Sequence, residues 1–145
     1  MRIFFIGNNI FKKAFFVLIF LLFSPFLIFP VLSCDSFNFD YPKSGAQLSG
    51  KISAGGKHKC NSEDHIWIAL FDGHGYYIQY PPVGLYADGT WDHDNIHLGG
   101  GIKKIIAIKV TKEGHKKLLN DKIFGQRQLP DSTVMLTKLP IKNSR

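Results

Sequence analysis

From Ala14 to Ser33 the chain is a nearly unbroken apolar run, interrupted by Pro25 and Pro30. As a helix that run is long enough to span a bilayer. Beyond it the apolar positions fall into short segments with a period of two. Gln47–Ser53 alternates, with Leu48 and Ile52 on one face, which predicts a half-buried strand. Ala54 to Asp64 is polar and glycine-bearing and reads as a loop. Ile66–Phe71 is apolar on both faces, as a central strand should be. Asp72-Gly73-His74-Gly75 supplies a turn, Tyr76–Tyr80 a return strand, and Pro81-Pro82 its end. Asp88-Gly89 marks a tight turn before a strand over Thr90–Leu98, bulged near Asp92–Asp94, which Gly99-Gly100-Gly101 terminates. Lys104–Val110 alternates again, Ile106, Ile108 and Val110 facing one way and Ala107 and Lys109 the other. Thr111 then caps a short helix over Lys112–Phe124, with Leu118, Leu119 and Ile123 on one stripe and Gly125 as its C-terminal cap. Val134–Leu139 closes as a final strand.

The pattern divides the 145 residues into an N-terminal signal or anchor helix at 1–33, a tether at 34–45 and a β domain at 46–145. The domain is large enough to bury a core of its own and too small for two. Short strands separated by Gly/Pro turns, with a single helix, predict a mainly β, antiparallel β-sandwich.

Charge refines that division. Arg2, Lys12 and Lys13 precede the apolar run, which holds no acidic residue, so part of the net +7 is a targeting feature. Residues 34–98 carry more acidic than basic side chains, whereas 99–145 are strongly basic. A basic end of this kind is attracted to anionic lipid or polymer. Basic n-region, apolar h-region and short cleavage region together predict an exported protein, which argues against nucleic acid as a partner.

Val31-Leu32-Ser33-Cys34 resembles the lipobox of bacterial lipoproteins. That resemblance implies cleavage before Cys34, lipidation of its sulfur and a membrane-anchored domain at the cell envelope, with Asp35 next in the chain. Two other fates stay open: an uncleaved anchor, and a cleavable signal that leaves Cys34 free to pair with Cys60 in an oxidising compartment. Tyr41-Pro42-Lys43-Ser44-Gly45, the Trp67 strand and Asp88-Gly89-Thr90-Trp91 together resemble the strand rhythm of bacterial immunoglobulin-like surface modules. This second resemblance implies an immunoglobulin-like sandwich and a non-enzymatic binding or spacer role toward an envelope protein or glycan.

Two concentrations of side chains could carry chemistry. Aromatic residues crowd one stretch, and Tyr76, Tyr77, Tyr80, Tyr86 and Trp91 are candidate ligand contacts, since an aromatic face beside Asp and Asn can stack on sugars or peptide side chains. Histidines crowd the same half. Asp72, His74, His93 and His97 form one candidate zinc or copper set, and His58, Cys60 and His65 another, although neither has the spacing of a known zinc motif. A metal-binding envelope protein is thus the alternative function. No nucleophile elbow, His-Glu-x-x-His helix, Walker loop or dinucleotide fingerprint occurs, and no cofactor is indicated.

Overall fold

A computed structural model describes residues 34–121 and 128–143. The expected N-terminal helix at 1–33 lies outside the described residues, as do Ile123 and Gly125. Among the described residues no helix is long and apolar enough to cross a membrane.

The strands, in chain order, are β1 (Phe37–Tyr41), β2 (Gln47–Leu48), β3 (Gly50–His58), β4 (His65–Phe71), β5 (Tyr76–Ile78), β6 (Gly84–Leu85), β7 (Thr90–Leu98), β8 (Lys104–Val110), β9 (Val134–Pro140) and β10 (Lys142–Asn143). One helix, α1 (Lys112–Asp121), lies between β8 and β9. They build two four-stranded antiparallel sheets, ordered β1-β3-β7-β6 and β5-β4-β8-β9. A short parallel pair, β2 with β10, completes the pattern.

The alternation of β1 and β7 turns Phe37, Trp91, Ile96 and Leu98 toward one core. There they meet Ile66, Ile68, Leu70, Ile105 and Ala107 from the other sheet. Phe37 stacks on Trp91 with ring centroids 4.5 Å apart, and Phe39 meets Trp91 edge-on at 5.1 Å. The buried indole is satisfied because its Nε1–H donates to the Asn38 carbonyl at 2.9 Å. β4 and β8 are the inner strands of the second sheet and are buried on both faces. Their outer side chains, Trp67, Ile106, Ile108 and Val110, form a second cluster with Ile78 and with Leu118 of α1. Thr111 caps that helix by accepting the Gly114 N–H at 3.1 Å.

Several expectations needed correction. Phe37–Tyr41, assigned to a tether, is a strand, because Phe37 and Phe39 pack on Trp91. Gln47–Ser53 is not one strand: it breaks at Ser49, and β3 begins at Gly50, whose φ of +69° turns the chain. β3 then continues to His58, through what reads as a loop. Gly55 and Gly56 fit there because Tyr41 lies over the first and the Asn38 carbonyl crowds the second, leaving no room for a Cβ. The bulge in β7 lies at Asp94–Asn95, where Ile52 and Ala54 of β3 face Ile96 and His93. Leu119, placed on the apolar stripe, is exposed, whereas Leu118 is buried. Lys109 is buried too and forms an ion pair with Asp64.

Candidate functional site

β6 pairs only with Trp91 and Asp92 of β7. Past His93 that flank of β7 is approached instead by the segment leaving β5, and the two are tied by side chains. Gln79 accepts the His97 backbone N–H through Oε1 at 2.8 Å and donates through Nε2 to the Tyr77 carbonyl at 3.1 Å. Asn95 donates to the Tyr80 carbonyl at 3.2 Å and accepts the Nε2–H of His97 at 3.0 Å. These bridges hold open a cleft of about 620 Å³, a volume within the range of small-ligand pockets. Leu70, Ile78 and Ile102 form its apolar floor; Gly99 and Gly100 form one rim, Tyr77 and Tyr80 the other.

Tyr77 is positioned from outside the cleft. Its hydroxyl donates to Asp72 Oδ2 at 2.8 Å, while Asp72 Oδ1 accepts the His74 and Gly75 N–H groups at 2.7 and 2.9 Å. Those bonds, first from His74, then Gly75 and Tyr77, hold the Asp72 carboxyl down at about 2, so it is ionised at any physiological pH. Tyr80 is half exposed, with its ring tilted 6.5 Å from that of Trp67. The polar groups of the wall are largely engaged with one another, so the cleft offers a ligand mainly apolar surface and tyrosine faces.

Of the five aromatic candidates, then, Tyr77 and Tyr80 share this cleft. Tyr86 lies elsewhere, its hydroxyl 3.0 Å from both carboxylate oxygens of Asp92; that hydrogen bond, and after it the negative charge, raise its pKa. Tyr76 packs against Phe71 at 5.0 Å. Trp91 is no surface contact, because stacking on Phe37 buries it in the core. Sequence reading missed Gln79 and Asn95. A faint signal existed in Gln79, a polar residue continuing the apolar Tyr76–Ile78 strand.

The histidine set does not converge. His93 is buried with both ring nitrogens engaged: Nδ1 accepts the Asn95 N–H at 3.2 Å and Nε2–H donates to the Pro81 carbonyl at 2.8 Å. That pairing fixes the neutral tautomer, and burial pushes its pKa below the usual histidine range. His97 turns to Asn95, and Asp72 serves the turn that carries His74. His58 and His65 also separate, His58 accepting the Cys60 N–H and His65 stacking on His115. Among the described residues, the group whose donor atoms gather within 4.8 Å is Cys34, Cys60 and Asp64. Its members are already committed: the sulfurs form a disulfide, and Asp64 holds Lys109 and the Asn61 N–H. The disulfide corresponds to the open alternative in which Cys34 pairs with Cys60.

No protein-family model, no curated protein and no solved structure matches the chain.

Proposed function

We propose that this chain is an exported, immunoglobulin-like binding module of a bacterial-type cell envelope, non-enzymatic, which captures an extended apolar segment of another envelope protein. Strand order supports the fold assignment. Lettered in chain order, β1-β3-β7-β6 corresponds to A-B-E-D and β5-β4-β8-β9 to C′-C-F-G, the arrangement of immunoglobulin-like sandwiches. Compartment is supported by the Cys34–Cys60 disulfide, which persists outside the reducing cytosol. With that sulfur occupied, attachment to the membrane falls to an uncleaved apolar run before Cys34.

The observation that carries the ligand class is the cleft between β5 and β7. A glycan would need unengaged donors and acceptors, and those of Gln79 and Asn95 are largely used within the wall. An apolar peptide needs a hydrophobic floor and an edge to lie along. β5 supplies that edge, being the terminal strand of its sheet.

Titration of the ¹⁵N-labelled full chain in detergent micelles tests this, with N-acetyl-phenylalaninamide and N-acetylglucosamine as probes. The amide should shift resonances of Tyr77, Tyr80 and Gly99–Ile102 at millimolar concentration, and the sugar should not. Gly100→Trp places a side chain into open space at the rim and should abolish the response. A response to the sugar alone, or one that persists in G100W, overturns the assignment.

A further inference from the structure

α1 is fastened to the second sheet by a part-buried polar contact beside an apolar cluster. His115, one turn into the helix, accepts the Trp67 indole N–H at its Nδ1, 3.2 Å away. Its ring also stacks on His65 of β4, with centroids 4.0 Å apart and planes 8° from parallel. Around this contact lie Trp67, Ile108 and Val110 of the sheet, Leu118 of the helix and Leu129.

We propose that α1 is a pH-released latch: protonation of His115 detaches the helix from β4 and β8 and uncovers the apolar outer face of the second sheet.

The chemistry follows from the donor inventory. Indole N–H can only donate, so the bond exists only while His115 Nδ1 carries a lone pair. A proton on Nδ1 sets two donors against each other. It also places a cation on the face of a second imidazole, near the helix N-terminus, whose dipole opposes positive charge.

Neighbouring charges do not offset this. His65 faces the ring from β4, and Val110 on β8 brings no charge. On the helix, Lys112, Glu113, Lys116 and Lys117 flank it, a net positive set, while Asp131 borders the adjoining groove beside Glu113 and Lys117. Burial, followed by His65, accordingly lowers the His115 pKa below its ordinary 6.5. The folded, docked state therefore binds the proton less readily than the released one. Docking is fully favoured above the ordinary value and weakens as pH falls below it.

The two indoles of the chain provide a probe with its own control. In the full chain in detergent micelles, the Trp67 indole N–H resonance should move as pH falls from 7.5 to 5, with a midpoint below 6.5. The Trp91 indole, bonded to the Asn38 carbonyl, should stay fixed. Amide exchange in Lys112–Asn120, corrected for intrinsic rates, should accelerate by up to about tenfold per pH unit between 6.5 and the midpoint and level off below it, while β3 and β7 remain protected. His115→Asn keeps an acceptor in place of Nδ1 and cannot titrate, so it should abolish both effects. A Trp67 resonance that does not move, or that moves equally in H115N, overturns the latch. Loss of protection in the helix and in β3 and β7 together also overturns it, because that is global acid unfolding.

Discussion

Reduction of the Cys34–Cys60 bridge offers the most informative perturbation, because its magnitude follows from chain length and its result bears on membrane attachment. The bridge spans a sequence separation of 26 residues and joins the segment just before β1 to the β3–β4 connection. Closing a loop of that length removes about 3.5 kcal/mol of conformational freedom from the unfolded chain at 25 °C in the chain-entropy model. With a urea dependence of about 1.5 kcal/mol per molar, the unfolding midpoint should fall by about 2 M when reductant is added. The assay is urea unfolding of the full chain in detergent micelles, with and without a dithiol reductant. Cys60→Ser should match the reduced protein and ignore the reductant. Intact-mass spectrometry after alkylation without reduction should find neither thiol modified. A midpoint that moves by less than about 0.5 M would refute the stapling argument. A lipid-sized mass on Cys34 with Cys60 alkylated would refute the pairing itself and restore the lipoprotein reading.

Two further predictions concern buried charge. Asp64→Ala strands the Lys109 ammonium, whose side chain is 5 % exposed, and should cost about 3–5 kcal/mol in urea unfolding. Adding Lys109→Met should recover much of that loss, and simple additivity of the two substitutions would show that the pair is not coupled. His93 is held neutral by burial, so the unfolded chain takes up its proton first as pH drops below 6.5. Global stability should therefore decline from there toward the depressed folded value and be retained above it. His93→Gln should flatten that slope whatever its own stability, and a slope equal to wild type would remove His93 from the explanation.

Local pattern carried much of the fold. The doubly apolar run at Ile66–Phe71 became an inner strand because only a position covered on both faces can bury both sets of side chains. The turn at Asp72–Gly75 and the cap at Thr111 were legible because each is closed by hydrogen bonds within a few residues. β1 was legible in principle, since Phe37, Phe39 and Tyr41 alternate, but the turn residues that follow drew the segment into a tether. The extension of β3 through Gly55 and Gly56 had no local signal. Its reason lies across the sheet, in a tyrosine ring and a carbonyl that occupy the space where side chains would stand.

The site divides in the same way. The sequence by itself determined that an apolar run from Ala14 to Ser33 precedes a region of short alternating segments, and that tyrosine and histidine are concentrated in one half. Those properties depend on composition and on spacing within single elements. Only the tertiary structure decided that Tyr77 and Tyr80 share a cleft while Trp91 is core, that His93 is locked neutral by two backbone groups, and that His115 meets Trp67. The Trp91–Phe37 stacking, the His93–Pro81 bond and the His115–Trp67 bond each join residues far apart in the chain, and register and sheet packing set their distance.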